Sequence, residues 1–438
     1  MKTTTRLAGA TLLMLALACS RDQAHQAKEK AQGAAQNVAT KVRDTANEVN
    51  APFGGPKDDP KAREQQRFDE QWRQLQSFRE QQAAQAAAQQ AAAQQQAAAD
   101  QAQAAKLVFT ARTKKTKESF KGLDLGQLDA APILVPIRGD VSGPSVLKAQ
   151  VYLDRADFSV GALDGRWGRN SAISTWWYQR AHGLESTGEM DEPTFRSLAS
   201  TVGYAPALTR HTLTADDLKG PFVSIPEDVY DKEKLDCLCY ESVREKLAEK
   251  FHTTEDFLDM LNPDVKFSEL ETGATLVVPN VREPMTADRP DIAKVVVSLN
   301  GNTLNGFDAS GRLIFHAPTT VGSKYDPSPN ETVKVAKIVQ DPHFHYQPTL
   351  FHEVPDSDPE AHLQPGPNSP VGVVWIALSK PHFGIHGTSD PDSIGYASSH
   401  GCVRLTNWDA EEASHRLAPN VEVEFKDTRK GSGAEAAR

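Results

Sequence analysis

Residues 83–105 hold only alanine and glutamine around a single Asp100, and a stretch of that kind cannot build a hydrophobic core. Alanine and glutamine both favour helix, so the run is either a solvated helix or disordered chain. Whatever folds compactly in these 438 residues must lie outside it. The polar tract is wider than the run itself, since residues 61–106 are dominated by Gln, Ala, Arg and Glu. As a continuous helix this tract would reach about 69 Å at roughly 1.5 Å per residue. Upstream, Ala24, Ala27, Ala31, Ala34, Val38, Val42, Ala46 and Val49 recur at spacings of three and four, a thin stripe that buries little by itself. The segment Pro52-Phe53-Gly54-Gly55-Pro56 breaks that pattern. With 39% hydrophobic and 24% charged residues, most of the remainder can bury a core. A net charge of −10 gives no electrostatic footprint for nucleic acid, and the one local cluster, Lys114, Lys115, Lys117 and Lys121, is short. Collagen, a disulfide scaffold and a polytopic membrane protein are excluded by the same composition.

The N-terminus reads as an address. Lys2 and Arg6 precede an apolar stretch over 7–18, which as a helix covers about 18 Å, short of a hydrocarbon core of about 30 Å. A basic end, a short apolar centre and small residues at its close make a secretory signal. Ala16-Leu17-Ala18-Cys19 resembles a bacterial lipobox, although Ala16 stands where leucine is usual. The resemblance implies that Cys19 is acylated and becomes the new N-terminus; Ser20 in place of aspartate implies sorting to the outer membrane in a Gram-negative cell.

Residues 144–202 have the pattern of a compact helical unit. Val146, Leu147, Val151 and Leu153 lie on a first helix. In DGRWGRNSAISTWWYQRAHGL, 164–184, Asp164-Gly165 turns the chain, Asn170 or Ser171 caps a second helix, and Ile173, Trp176 and Trp177 face a core. Gly183 stands at a C-cap position, and a third helix follows Asp191 with Pro193 in its first turn. The stretch resembles a three-helix peptidoglycan-binding domain of the DGxxGxxS…YQ type.

Residues 228–281 read helix, helix, strand: Val243, Leu247 and Phe251 on one face, Thr253-Thr254-Glu255-Asp256 capping the next helix, and a strand at Thr275-Leu276-Val277-Val278-Pro279-Asn280. TxxDFLxxLNP followed by LxxGxxLVVPN resembles a LysM module, which implies binding of N-acetylglucosamine chains. Cys237 and Cys239 are expected to be small buried residues, because a bridge between them is strained in regular backbone; an exported chain nonetheless meets oxidising conditions.

From residue 292 short strands alternate with Gly, Asn and Pro turns, a mostly-β pattern. Asp341-Pro342-His343-Phe344-His345 puts two histidines on one strand face near His352 and Glu353, lining a cleft or facing water in preference to holding a metal. The chemistry concentrates in 386–410, HGTSDPDSIGYASSHGCVRLTNWDA. A cysteine nucleophile needs a base within hydrogen-bond reach, and His386 lies sixteen residues before Cys402 across one loop. Gly401 removes bulk where backbone N–H groups face a developing oxyanion, Arg404 supplies fixed charge, and Thr406 caps a helix. Cysteine and histidine at this spacing are a modest signal by themselves, equally open to a buried thiol beside a structural imidazole.

The full string, HGT, a loop, then SHGCVRL, resembles the catalytic motif of the L,D-transpeptidases of the YkuD type, and GPNSPVG (366–372) and WIALSKPHFGIHGT (375–388) extend the resemblance. It implies that Cys402 attacks the bond between diaminopimelate and D-alanine in a stem tetrapeptide and holds the acyl chain as a thioester. His386 would be base and then acid, oriented by the Gly387 carbonyl; Gly401 and Cys402 N–H groups would form the oxyanion hole; Ser399, His400 and Arg404 would shape the substrate site. No metal and no cofactor is implied.

The expected fold class is therefore multidomain α+β. It comprises a signal peptide (1–18), an Ala/Gln-rich spacer (19–140), the three-helix domain (144–202), a small LysM-like α/β module (228–281), a mostly-β catalytic domain (290–427) and a polar tail (428–438). The expected partners are peptidoglycan stem peptides and glycan strands, with the membrane reached through the lipid anchor and no nucleic acid. The expected place is the cell envelope, facing the periplasm. The competing expectation is a non-catalytic lipoprotein that tethers outer membrane to wall.

Overall fold

A computed structural model describes residues 70, 73–74, 76–89, 92, 120, 133–285 and 287–426. The signal-like segment, Cys19 and the 428–438 tail lie outside these residues. The chain divides after residue 91 into two units. In the first, the described residues are helical and exposed, and of the alanine–glutamine tract they include 83–89. No helix among the described residues is long and apolar enough to cross a membrane.

In the second unit, a short strand pair, β1 (Val141–Ser142) with β2 (Arg166–Trp167), precedes and interrupts three helices, Pro144–Arg155, Arg169–Ala181 and Glu192–Thr201. The DG turn holds its shape through a residue outside the motif. Gln150 Nε2 donates to Asp164 Oδ1, the Arg166 carbonyl and Ser171 Oγ, and its Oε1 accepts from Gly165 N. Gly165 sits at φ +67°, and a Cβ there would meet the Phe120 ring at 2.8 Å. Gln179 of the YQ pair is fully buried and fastens the third helix: it donates to the Glu189 carbonyl and Thr194 Oγ1 and accepts from Thr187 and Gly188 N. Asp191 caps that helix through Thr194 N, as expected. The second helix differs from expectation. Its N-cap is Gly168, with no side-chain cap, because Asn170 already lies in the first turn and reaches away to the Ile394 carbonyl at 2.9 Å. Trp177 is buried, whereas Trp176 is half-buried under the Arg180 guanidinium, 5.6 Å from its ring.

Two helices, Val243–Lys250 and Glu255–Leu261, are bracketed by a two-stranded antiparallel sheet of β3 (Leu208–Thr212) and β4 (Thr275–Pro279). The expected span began at 228 and so left out β3. Its sequence, LTRHT, is mostly exposed and carries no apolar alternation, and its place comes from backbone pairing with β4. Thr254 caps the second helix by accepting from Phe257 N. This bracketed unit and the three-helix unit share one apolar cluster running from Ile137 through Leu153 and Tyr178 to Phe257 and Val278.

The intervening segment 213–242 carries a correction. Cys237 and Cys239 form a disulfide, with Cα atoms 5.2 Å apart, a separation ordinary for a bridge. The chain departs from regular secondary structure there, so the objection drawn from strand or helix geometry does not apply. The bridge brackets Leu238, which is fully buried and pairs its N–H with the Pro365 carbonyl and its carbonyl with Asn368 N.

From residue 294 the chain builds an eight-stranded mixed sheet. Its strands are β5 (Lys294–Ser298), β6 (Thr303–Phe307), β7 (Leu313–Pro318), β8 (Thr332–Gln340), β11 (Val374–Leu378), β12 (Gly384–His386), β13 (Val403–Arg404) and β14 (Glu422–Lys426), and β9 (Phe344–Tyr346) pairs separately with β10 (Ala361–Leu363). The order is β13-β12-β11-β8-β14-β5-β6-β7. Helix Asn407–Arg416, capped by Thr406 through Asp409 N, packs on it. Its core holds Val295, Val297, Phe315, Val374, Ile376, Ile385, Val403 and Val423.

An edge strand offers unpaired backbone to any passing chain. The β7 edge is covered by the three-helix unit: Ser159 N donates to the His316 carbonyl at 2.8 Å and His316 N to the Asp157 carbonyl at 2.9 Å. A buried ionic knot joins all three units beneath. Arg282 reaches Asp154 at 2.7 Å and Asp409 at 2.6 Å; His252 and Ser159 complete it at 2.9 Å and 2.7 Å from the same two carboxylates. Burial alone would raise the Asp154 carboxyl, but Arg282 and then His252 hold it well below the usual carboxylate range.

Candidate active site

β12 ends on His386 and runs parallel to β13, with Ile385 opposite Val403 and His386 opposite Arg404. One step earlier in that register, Gly384 faces Cys402. Because side chains alternate along strands, His386, Arg404 and Cys402 stand on one face, with thiol and imidazole as diagonal neighbours. Both line a cavity of about 870 Å³, together with Arg404, His400, Phe383 and Trp375.

His386 is 4% exposed. Its Nδ1 lies 2.7 Å from the Gly387 carbonyl. A carbonyl only accepts, so Nδ1 carries the proton and Nε2 is left with a free lone pair. The Trp375 ring stacks on the imidazole with centroids 5.4 Å apart. Gly384 permits this stack, since a Cβ there would meet the indole at 2.5 Å. Burial, then the Arg404 charge, brings the imidazole pKa down to about 3, partly opposed by the Gly387 carbonyl. The histidine therefore rests neutral.

Cys402 is the free cysteine among the described residues and is half-buried. Its Sγ donates to the His382 carbonyl at 3.6 Å. Burial pushes the thiol up, against lowering by the Gly384 backbone and Arg404. A thiolate nucleophile needs either a lowered thiol or a paired imidazole. The surroundings instead raise the Cys402 thiol and keep the His386 imidazole neutral.

The loop before Cys402 is fastened from several sides. Ser399 Oγ donates to the Cys402 carbonyl at 2.5 Å, and Ser399 N to the Val321 carbonyl at 2.9 Å. Ser328 Oγ donates to the Gly401 carbonyl at 2.7 Å. Gly401 adopts φ +102°, and a Cβ on it would meet the Phe383 ring at 2.8 Å. Thr320 exchanges backbone hydrogen bonds with Arg404 at 2.9 and 3.0 Å. His400 points outward to Glu353, 2.6 Å away. Arg404 borders the cavity and has a buried Nε with no partner. His343 and His345 also border the cavity, but His345 is engaged by Glu360 at 2.8 Å. Ser328, Thr320, Phe383 and Gly384 were not singled out from sequence; only Phe383 and Gly384, inside FGIHGT, carried a signal.

A family model of the L,D-transpeptidase catalytic domain, YkuD, matches residues 293–424, and one of the peptidoglycan binding domain matches 142–198. The L,D-transpeptidase YkuD of Bacillus licheniformis is 31% identical over 176 residues, 40% of this chain and 88% of that protein. This chain belongs to the YkuD family of L,D-transpeptidases. The YkuD protein of Bacillus subtilis is 28% identical over 174 residues, again 40% of this chain and 87% of the relative. The L,D-transpeptidase described here thus joins a peptidoglycan binding domain to a transpeptidase domain, with peptidoglycan as substrate and the cell envelope as its setting. All of the thiol, imidazole and loop geometry above falls inside the matched catalytic span.

Proposed function

We propose that Cys402 is the acyl-accepting nucleophile of this L,D-transpeptidase and His386 its base. The observation that carries the reading is the imidazole tautomer: Nδ1 is committed to the Gly387 carbonyl, so Nε2 is free to take a proton on the face that bears the thiol. As Sγ attacks the carbonyl joining the L-centre of diaminopimelate to D-alanine, its proton passes to Nε2. The tetrahedral oxyanion is met by the Gly401 and Cys402 N–H groups. His386 then returns the proton to the departing D-alanine amine, and a thioester remains. An incoming amine, from a second stem, a protein lysine or a free D-amino acid, takes the acyl group. Arg404, with its unpartnered Nε, and His400 receive the stem peptide, and Ser399 holds the loop.

The same reading places an acylated Cys19 as the lipid anchor in an outer membrane and the 208–281 unit as a glycan contact. The signal-like N-terminus and the LysM-like sequence support those two points. Wall binding beside the catalytic unit raises the local concentration of stem peptides.

The test is mass spectrometry of a stem tetrapeptide incubated with the protein. Loss of D-alanine is expected with the wild type and absent with Cys402→Ala. Loss that persists in Cys402→Ala removes the assigned nucleophile, and no loss in the wild type favours a purely structural tether.

A further inference from the structure

At the rim of the catalytic cavity, three separate stretches of chain bring together side chains that the acyl-transfer chemistry does not use as a group. Asp326 lies in the segment before β8, His352 and Glu353 follow the single turn Pro348–Leu350, and His400 stands two residues before Cys402. His352 Nδ1 is 2.6 Å from Asp326 Oδ2 and 3.1 Å from Glu353 Oε2, and His400 Nε2 is 2.6 Å from Glu353 Oε1. One donor atom from each of the four lies within 4.8 Å of all the others. The hydrogen bonding is incomplete by count. A ring nitrogen carries at most one proton, yet two carboxylates converge on His352 Nδ1.

We propose that Asp326, His352, Glu353 and His400 bind one first-row divalent cation, with zinc the best match. Two imidazole nitrogens and two carboxylate oxygens are a borderline donor set. Calcium and magnesium demand oxygen ligands and are poorly served by two nitrogens. Zinc takes four such donors tetrahedrally at about 2.0–2.2 Å, which sets them about 3.3–3.6 Å apart. The closest pairs open and the widest close by an ångström or so, which the exposed His352 and Glu353 accommodate around the half-buried Asp326 and His400. The cation replaces the protons that now lie between imidazole and carboxylate; these pass to solvent or to the other ring nitrogen. The His343 and His345 pair is not part of this group. Occupancy ties the segments bearing Asp326 and His352 to the loop bearing Cys402, and so fixes the rim of the substrate cavity.

A thiol also binds zinc, so the test removes it first. The full chain carrying Cys402→Ala, stripped with chelator, is titrated with Co²⁺ and then displaced with Zn²⁺. Visible d–d absorption of a tetrahedral cobalt site is expected, together with a raised melting temperature on adding zinc. In a Cys402→Ala, His352→Ala, Glu353→Gln background, affinity is expected to fall at least tenfold and the tetrahedral bands to vanish. In Cys402→Ala, His343→Ala, His345→Ala both are expected to persist. The proposal is overturned if Cys402→Ala itself gives no tetrahedral band, or if the His352→Ala, Glu353→Gln pair leaves affinity unchanged. Co²⁺-free melting curves of each variant separate lost binding from lost folding, and the single Glu353→Gln change, which keeps side-chain shape, must weaken binding in a chain that melts as the parent does.

Discussion

At His386 a single backbone carbonyl decides which nitrogen carries the proton, and burial with the nearby Arg404 decides the ring's charge. Protonation removes the base, so activity is lost on the acid side. With the imidazole held near 3 rather than its ordinary 6.5, kcat/KM for D-alanine release should stay level from pH 7 down past pH 5.5. An acid limb centred at 6.5 would show that the histidine is not held neutral by its surroundings. Gly401 is the second residue-scale constraint. A side chain there meets both a left-handed backbone and the Phe383 ring, so Gly401→Ala should cost roughly 1–3 kcal/mol of stability or, by displacing the loop, at least tenfold in turnover. Denaturant melts and turnover measured together show which. The cysteine, histidine and both glycines are readable in the motif because they lie within sixteen residues of one another. Their protonation states are not, because those depend on what is packed around them.

Among the elements, the helices were the most legible. Helical spacing, Asp191, Thr254 and Thr406 as caps and Pro193 at a helix start are local signals, and each does the expected job in the fold. Strands were less so. β8 lies between β11 and β14 in the middle of the main sheet, yet its TVKVAKIVQ buries only two valines, Val333 and Val335, and reads weakly. β3 is exposed and exists through its partner β4. The linker after β4 holds Arg282, whose two buried carboxylate partners sit on different elements, Asp154 on the first helix and Asp409 on the last. Arg282→Ala leaves Asp409 without this cation and Asp154 with His252 alone, and should destabilise the protein by about 3–5 kcal/mol in urea unfolding. Arg282→Lys should recover part of that and not all, because one ammonium does not span two carboxylates as a planar fork does. A loss below about 1 kcal/mol for the alanine variant would mean the knot is dispensable.

Across the whole molecule, the helix Val243–Lys250 reaches the catalytic domain through side-chain pairs that include Glu245 with Asn368 and Glu249 with Asn407. Asn407 Nδ2 donates to both Glu249 oxygens, at 3.0 and 3.1 Å, while its Oδ1 accepts from Thr388 N at 3.1 Å, one residue beyond Gly387. Burial raises Glu249 to about 7, opposed by its bonds from Asn407 and Tyr240. A carboxyl raised in the folded state favours folding most when protonated, below the ordinary 4.5 or so, and that contribution is lost as pH climbs through about 7. Glu249→Gln should therefore gain melting temperature relative to wild type between pH 5 and pH 8. An equal gap at both pH values would place the carboxylate in solvent.

The sequence by itself determined the chemistry and the local geometry: a thiol, an imidazole and glycine-bent loops in one short string, capped helices at 3.6-residue period, and a polar tract unable to form a core. These rest on interactions between residues a few positions apart, which a linear reading captures. Only the tertiary structure decided which strands flank β8, that Cys237 meets Cys239 around a buried Leu238, and that the three-helix unit and the 208–281 unit share one core. It alone joined Arg282 to carboxylates 128 and 127 residues away. The physical reason is that burial and charge pairing are properties of the neighbours a residue acquires on folding, and those neighbours come from parts of the chain whose spacing carries no record of the encounter.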